Sequence, residues 1–317
     1  MEKPNVILVV GPTASGKTAL SIKIAKSVNG EIISADSMQI YKQLNIGTAK
    51  PSEEEKEGIP HYLIDEVDVD ADFSVSVFKD RAFKLINDIL NRGKTPVICG
   101  GTGLYLNSVT YKLDFGKTSA NEPLRKELLK IADEKGADYL HGLLKEKSPS
   151  AASRIHPNNI KRVIRALELI ENEKEELEFN FQKENNEYNF IMIGIKMDRE
   201  KLYSRINDRV DEMVLLGLVD EAFDIYKKYG GESNAFSAIG YKELVDYFNG
   251  NINLNDAVLN IKQATRRYSK RQITWLKRDK RIKWFNLDSY KNFDDFTNDI
   301  INYTKNLLDT EKNIGNY

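Results

Sequence analysis

The chain has 317 residues, of which 41% are hydrophobic and 30% charged, and its formal net charge is −1. This composition is ordinary for a folded globular protein and argues against a disordered or membrane protein. No apolar run approaches the roughly 20 residues that a membrane-spanning helix needs. Because the length exceeds that of a typical single domain, we expect one large core with a smaller inserted or appended unit.

Cysteine and histidine are too scarce for two kinds of structural site. Cys99 is the only cysteine, which excludes an intramolecular disulfide, and the three histidines lack the spacing of a zinc site. The N-terminus MEKPN lacks the charged start and long apolar segment of a secretory signal. We therefore expect a cytoplasmic monomer with no membrane association.

The first hundred residues alternate between strand and helix patterns. VILVV (6–10) has the pattern of a buried strand, and residues 18–28 repeat apolar positions at helical spacing. EIISA (31–35) is a second strand, residues 74–92 form a second long helix, and TPVICG (95–100) is a third strand. This alternation predicts an α/β fold with a parallel sheet flanked by helices.

Strand patterns disappear in the middle of the chain and then return. NFIMIGIKM (189–197) reads as a strand, and Asp198 is a candidate N-cap for the helix that follows. A long amphipathic helix over 255–279 precedes a last strand at IKWFNL (282–287). Because sheet pairing resumes after the helical block, we predict a core domain of residues 1–115 and 188–317 and an inserted all-helical domain of residues 116–187.

The turn after the first strand, GPTASGKT (11–18), fits the P-loop motif G-x-x-x-x-G-K-[ST]. Glycines in such a loop let backbone N–H groups surround phosphate oxygens, and the N-terminus of the next helix adds a partial positive charge. Lys17 supplies a full charge, and the Thr18 hydroxyl can ligate Mg²⁺ that bridges the phosphates. The motif predicts a P-loop NTPase-like sheet that binds a di- or triphosphate, and it leaves the attached group open.

Asp36 follows the second strand, at the carboxyl edge where α/β sheets place ligands. Its carboxylate could coordinate magnesium, accept a proton or cap the next turn. The neighbouring Ser37 and Gln39 are short polar side chains able to read a base edge, or they belong to a solvated turn.

A second glycine-rich turn, CGGTGLY (99–105), follows the third strand and should face the same cleft. Gly100, Gly101 and Gly103 are expected to let the backbone approach a ligand closely, although such a turn is more often only a tight turn. A hydrolytic P-loop enzyme usually has an aspartate at the end of this kind of strand, and VICGG (97–101) has none. This absence argues against an ATPase and favours a phosphate group that departs from its substrate.

Basic residues are concentrated between Lys262 and Lys283, where Asp279 is the only acid. Such a stripe suits a polyanion, or it is a solvated helix face. Arg205 and Arg209 lie four residues apart on another predicted helix, where they either complete a diphosphate clamp or pair with neighbouring acids.

Seven segments, taken in chain order, resemble the bacterial tRNA dimethylallyltransferases, also called tRNA isopentenyltransferases. The segments are GPTASGKT, ISADSMQIYKQLNIGTAKP, HYLID, GGTGLY, KRVIRALE, AIGYKE and TRRYSKRQITWL. The resemblance covers nearly the whole chain. It implies transfer of a dimethylallyl group from dimethylallyl diphosphate to N6 of adenosine 37 in the anticodon stem-loop of tRNA, with Mg²⁺ as cofactor.

The resemblance also implies roles for individual residues. It makes Asp36 the general base at N6 and Thr102 its partner at the reaction centre, and both are candidate catalytic residues. With the P-loop motif and the arginine pair, the candidate diphosphate-binding residues are Gly11, Thr13, Ala14, Ser15, Gly16, Lys17, Thr18 and Arg209. With the basic stripe, the candidate tRNA-binding residues are Asp36, Ser37, Met38, Gln39, Thr102, Arg125, Lys161, Arg162, Val163, Ile164, Arg165, Lys242, Arg266 and Arg267.

Three other functions share parts of this pattern. A P-loop kinase would move the γ-phosphate of ATP to a small metabolite, and an adenylate isopentenyltransferase would act on a free nucleotide. A non-catalytic RNA-binding module would need no reactive carboxylate. The long insertion and the basic helix argue against a free-nucleotide substrate.

Overall fold

The computed structural model describes residues 3–113, 121–173, 183–231 and 234–314. The chain divides into two compact units, one of Met1–Tyr111 with Glu184–Tyr317 and the other of Lys112–Lys183. Among the described residues, no helix has both the length and the apolar character needed to cross a membrane.

A parallel sheet forms the centre of the first unit. Its strands are β1 (Asn5–Val10), β2 (Gly30–Ala35), β3 (His61–Tyr62), β4 (Thr95–Gly100), β5 (Asn189–Lys196) and β6 (Lys283–Asn286). They lie in the order β3-β2-β4-β1-β5-β6, and every pair is parallel. The predicted parallel sheet is confirmed. The sequence pattern missed β3 because a two-residue strand is too short to show a period.

Helices flank the sheet and form the described part of the second unit. They are α1 (Lys17–Ser27), α2 (Glu53–Lys56), α3 (Val75–Asn91), α4 (Gly103–Thr110), α5 (Glu122–Lys135), α6 (Ala137–Lys147), α7 (Pro149–Arg154), α8 (Ile160–Glu173), α9 (Arg199–Leu215), α10 (Leu218–Tyr229), α11 (Val245–Phe248), α12 (Leu254–Leu276) and α13 (Phe293–Ile314). Short 3₁₀ helices span Asn234–Ser237, Lys242–Leu244 and Leu287–Ser289. Helices α5 to α8 lie in the second unit.

The strands are continuous apolar runs in the sequence because helices cover both faces of the sheet. Alternate residues of β1 enter different cores: Val6 and Leu8 pack into one apolar cluster, and Ile7 and Val9 pack into the other. Helices α3, α10 and α12 contribute to the first cluster, and α1 and α13 contribute to the second.

Local signals set the ends of the long helices. Asp198 caps α9, as predicted, by accepting the backbone N–H of Glu200 at 2.8 Å. Helix α12 ends at Leu276, short of the predicted Asp279. The carboxylate of Asp279 instead accepts the backbone N–H of Arg281 at 3.0 Å, which closes a turn that leads into β6.

The carboxyl ends of three neighbouring strands are in register. Gly100 at the end of β4 is paired with Val10 of β1 on one side and with Ala35 of β2 on the other. A Cβ atom on Gly100 would overlap the carbonyl group of Ala35. A glycine is therefore required at this position so that β4 can lie against β2.

We expect Gly100→Ala to lower the free energy of unfolding by about 1–3 kcal/mol, because the backbone of Ala35 has no flexible side chain that can move aside. Gly142→Ala is the control: it lies inside α6, where an added Cβ would meet nothing within 4 Å, and it should leave stability unchanged or raise it by up to ~1 kcal/mol. Urea unfolding followed by circular dichroism measures both. Equal stability of the wild type and Gly100→Ala would contradict this packing account.

Candidate active site

A cavity opens at the carboxyl ends of the central strands. Its lining brings together Lys17 and Thr18 of the P-loop, Asp36 after β2, Gly100 at the end of β4 and Arg209 of α9. These side chains are far apart in sequence, and the parallel sheet collects them at one edge. Of the other candidates, Thr13 and Gln39 also line the cavity.

The P-loop has the backbone conformation that lets its N–H groups surround an anion. Ala14 and Gly16 take left-handed conformations, with φ of 62° and 89°. Helix α1 begins at Lys17, so its N-terminus points toward the loop. The hydroxyl of Ser15 is buried and has no hydrogen-bond partner among the described residues. A buried orphan polar group inside such a loop indicates a place where a ligand or water completes the hydrogen bonding.

Positive charge exceeds negative charge among these lining residues. Burial lowers the pKa of Lys17, an effect that the nearby Arg209 reinforces and that Cys99 and Asp36 oppose. Burial likewise lowers the pKa of Arg209. Within the described part of the chain, neither cation forms a close ion pair, although the charges of Glu55, Glu212 and Asp36 act on Arg209. Two unpaired cations beside one carboxylate favour an anionic ligand.

Asp36 is both a turn cap and a cavity residue. Its Oδ1 accepts the backbone N–H groups of Met38 at 2.9 Å and Gln39 at 3.4 Å. In the described residues, Oδ2 has no hydrogen bond, and it is free to accept a proton or bind a cation. The capping role and the chemical role are therefore compatible, because each uses a different oxygen. Ser37 donates its backbone N–H to the Thr102 hydroxyl at 3.2 Å, which ties the Asp36 turn to the Thr102 turn.

The side chain of Gln39 is committed to the protein. Its Nε2 donates to the carbonyl oxygens of Thr48 at 3.1 Å and Ala49 at 3.2 Å, and its Oε1 accepts from Ser34 at 3.1 Å. Both amide donors are used, and the amide oxygen keeps one lone pair, so contact between Gln39 and a base edge stays a prediction. The same hydrogen bonds fix the loop that forms one wall of the cavity.

That loop is anchored by a residue that the sequence reasoning missed. Glu221 of α10 accepts the backbone N–H groups of Asn45, Ile46 and Gly47 at 3.0 to 3.2 Å. The Tyr241 hydroxyl donates to the same carboxylate at 2.6 Å. Glu221 therefore joins two segments that carry the family resemblance, IGTAKP (46–51) and AIGYKE (238–243). No local sequence pattern predicts this role for Glu221.

Two glycines of the GGTG turn make room for helix α12. A Cβ on Gly101 would overlap Gln272, and one on Gly103 would overlap Trp275. Close approach of a ligand to this turn stays a prediction. Thr102, between them, stands at the start of α4. Tyr268 of α12 hydrogen-bonds to Thr102, and burial together with the nearby Asp36 raises the pKa of the Tyr268 hydroxyl to about 12.

The candidates in the second unit divide into exposed, buried and paired side chains. Lys161 and Arg162 are exposed, but Val163 is fully buried and Ile164 is 4% exposed. Both apolar side chains belong to the core of that unit. We therefore correct the expectation that these two side chains contact tRNA. They share this core with the residues Leu128, Ala132, Leu140, Leu144, Ala152 and Leu167.

Two arginines of the second unit share one buried carboxylate. Glu168 is fully buried and accepts from Arg125 at 3.0 Å and from Arg165 at 2.6 Å. These pairs hold both guanidinium groups at fixed positions on the unit.

Helix α12 presents most of its cations to solvent. Arg267, Lys270 and Arg271 are exposed on one face, at the spacing of a single helical turn. Lys262 pairs with Asp211, and Arg266 donates to Asn207 at 2.6 Å. Arg266 is therefore held by the protein. Lys242, in the 3₁₀ helix Lys242–Leu244, is exposed.

The donors near the P-loop fit a magnesium ion. Mg²⁺ keeps several waters and takes one or two protein oxygens together with substrate phosphates. The Thr18 hydroxyl provides such an oxygen in this cavity. No cluster of three or more acidic, histidine or cysteine side chains suited to a metal occurs in the described ranges, so an all-protein metal cage is not indicated there.

Comparison with known proteins identifies the family. A model of the IPP transferase family matches residues 39–279, which is most of the chain and includes Gly100 and Arg209 of this cavity. This chain belongs to that family.

Relatives of the family support the assignment over nearly the full length. The chain is 52% identical over 290 residues to a tRNA dimethylallyltransferase of Acetivibrio thermocellus, covering 90% of this chain and 93% of that protein. It is 50% identical over 310 residues to the enzyme of the same name from Clostridioides difficile, with 97% and 100% coverage.

Solved structures of family members share the fold. A tRNA isopentenylpyrophosphate transferase from Bacillus halodurans is 42% identical with a TM-score of 0.75, and each chain is covered completely. A eukaryotic dimethylallyltransferase described as acting on tRNA is 30% identical with a TM-score of 0.74, over 89% of this chain and 74% of that one. The resemblance expected from the sequence and the P-loop fold class are confirmed. The relatives do not favour the kinase or the free-nucleotide transferase.

His61 is a cavity residue for which the sequence pattern predicts no role. Its Nδ1 lies 2.7 Å from the carbonyl oxygen of Ile59, which requires a proton on Nδ1. Nε2 then carries a lone pair that is buried and unpartnered among the described residues. Burial lowers the pKa of His61.

We expect NMR titration to give a pKa for His61 below the ordinary value of about 6.5. Because the folded protein favours the neutral ring, the His61 contribution to stability is present above pH ~6.5 and is lost as the pH falls below it. His61→Asn keeps a donor near the Ile59 carbonyl and removes the titrating ring. It should therefore reduce the loss of stability as the pH falls below ~6.5. A His61 pKa at or above the ordinary value would contradict this interpretation.

Proposed function

We propose that this chain transfers the dimethylallyl group from dimethylallyl diphosphate to N6 of adenosine 37 in the anticodon loop of tRNA and releases diphosphate. The observation that carries the proposal is the cavity itself. Lys17 of the anion-binding loop and Arg209 of α9, both unpaired, line the same cavity as a carboxylate with one free oxygen, in a chain of the IPP transferase family. We also propose that the protein is a monomer in the cytoplasm.

The diphosphate half of the site assists bond breaking. As the bond between the allylic carbon and oxygen breaks, negative charge develops on the departing diphosphate. The backbone N–H groups of the loop, Lys17 and Arg209 stabilise that charge, since they are fixed in place before the reaction begins. No phosphoryl group is transferred, which explains why the site needs no residue to activate a water at the end of β4.

Magnesium, held by the Thr18 hydroxyl, would neutralise part of the charge on the diphosphate. The remaining charge stabilisation comes from the protein.

The adenine half of the site accepts one proton from N6. Adenine N6 is a poor nucleophile because its lone pair is delocalised into the ring. As N6 bonds to the allylic carbon, one of its protons passes to Oδ2 of Asp36, the oxygen that the turn does not use. The Thr102 hydroxyl accepts the backbone N–H of Ser37 and so lies beside the Asp36 turn. There it orients the Asp36 carboxylate, which is the general base.

tRNA binding requires groups outside the cavity. The exposed cations Arg267, Lys270 and Arg271 of α12, together with Lys161 and Arg162 of the second unit, are suited to backbone phosphates. Extracting a stacked base from a loop costs a few kcal/mol, and phosphate contacts offset that cost. The paired Arg125 and Arg165 are preorganised for the same purpose.

Mass analysis of tRNA nucleosides after incubation with dimethylallyl diphosphate and Mg²⁺ tests the proposal directly. We expect one adenosine of the anticodon loop to gain a dimethylallyl group. Asp36→Asn keeps an oxygen that can cap the turn and removes the proton acceptor, so turnover should fall by about 10²–10⁴-fold. Affinity for tRNA, measured by filter binding, should change little.

Two outcomes would contradict the proposal. One is an unmodified tRNA together with transfer of a labelled γ-phosphate from ATP to a small acceptor. The other is an Asp36→Asn protein that turns over as fast as the wild type.

A further inference from the structure

One buried side chain joins the two halves of the site. Gln272 is 5% exposed and lies on α12. Its Oε1 accepts the backbone N–H of Thr13 at 2.8 Å, and its Nε2 donates to the carbonyl oxygen of Gly101 at 3.1 Å. A backbone N–H can only donate and a carbonyl can only accept, so these two partners fix the orientation of the amide.

The two partners belong to different turns with different tasks. Thr13 lies in the loop proposed to hold diphosphate, and Gly101 directly precedes Thr102 at the proposed reaction centre. Since a Cβ on Gly101 would overlap the Gln272 amide, the turn and the side chain are already in close contact. Gln272 therefore bridges the end of β1 and the end of β4 by direct hydrogen bonds.

The neighbours of Gln272 on α12 reinforce this contact. Tyr268, one turn earlier, hydrogen-bonds to Thr102 and to Gln272 itself, and Trp275, three residues later, packs on Gly103. These three side chains lie on one face of α12, and exposed Arg267 and Arg271 lie beside them on the solvent side. The helix proposed to bind tRNA phosphates is thus the helix that contacts both turns.

We propose that Gln272 is a positioning residue, which sets the separation between the diphosphate loop and the Thr102 turn during prenyl transfer. The inference rests on the proposed function, because it concerns the relative placement of two substrates bound on different turns. Transfer requires the allylic carbon and N6 to approach within about 3–3.5 Å, and a displacement of about 1 Å can cost 10²-fold in rate. Gln272 contacts neither reacting group, and it acts through Thr13 and Gly101.

Two substitutions of Gln272 distinguish the hydrogen bond to Thr13 from the hydrogen bond to Gly101. Gln272→Met has a similar length and loses both bonds, together with the hydrogen bond between Gln272 and Tyr268. Gln272→Glu keeps an acceptor for the Thr13 N–H but places a carboxylate oxygen against the Gly101 carbonyl. Ser269→Ala is the matched control, because Ser269 is fully buried on the same helix and its hydroxyl donates only within that helix, to Arg266 O at 2.8 Å.

The experiment compares these variants with the wild type, with rates expressed per folded molecule. We expect Gln272→Met to lower kcat roughly 10- to 100-fold while KM for dimethylallyl diphosphate and Kd for tRNA stay within about threefold. Amide hydrogen exchange at Thr13 should accelerate in Gln272→Met and stay slow in Gln272→Glu, although Gln272→Glu also loses kcat. Ser269→Ala should match the wild type in both measurements.

The outcomes distinguish this inference from the function on which it rests. A wild-type kcat per folded molecule in Gln272→Met, even with a lower Tm, would show a merely structural role and overturn the inference. A rise in KM at unchanged kcat would overturn it too, because Gln272 would then act on binding. Absence of tRNA prenylation by the wild type would instead refute the proposed function, and the inference with it.

Discussion

The register of three neighbouring strands is the constraint on which the rest of the site depends. Val10, Gly100 and Ala35 lie side by side at the carboxyl edge of the sheet, and the turns that follow them carry the P-loop, Thr102 and Asp36. A slip of one residue would reverse the direction of every side chain on a strand. Gly100 preserves this register because any larger residue would push β4 away from β2.

An imbalance of charge within this framework decides the kind of ligand. Lys17 and Arg209 are partly buried at the cavity without a carboxylate partner among the described residues, and such an arrangement is unfavourable until an anion binds. The same loop in an ATPase would be combined with a carboxylate at the end of the adjacent strand, where this chain has Gly100 and Gly101. A stabilised leaving group, with no activated water beside it, agrees with a transfer in which diphosphate departs from carbon.

The sequence predicted the features that follow from local patterns, and it missed those that depend on distant contacts. Strand runs, the P-loop and the Asp198 cap were all readable from neighbouring residues. Gln272 was not, because its partner Thr13 lies 259 positions away in sequence. The partners of Gln39 were not readable either, because only the fold shows that Thr48 and Ala49 accept its amide donors. The burial of Val163 did have a signal, since Leu167 follows at helical spacing.

The central claim is that the cavity stabilises a diphosphate leaving from carbon, and an isotope experiment tests it most directly. Dimethylallyl diphosphate labelled with oxygen-18 at the bridge between carbon and phosphorus is incubated with the protein, tRNA and Mg²⁺, and the products are examined by phosphorus NMR and mass spectrometry. The account predicts that the label leaves with intact diphosphate while the tRNA gains the prenyl group. Label retained on a dimethylallyl alcohol, or a phosphoryl group found on an acceptor, would contradict it.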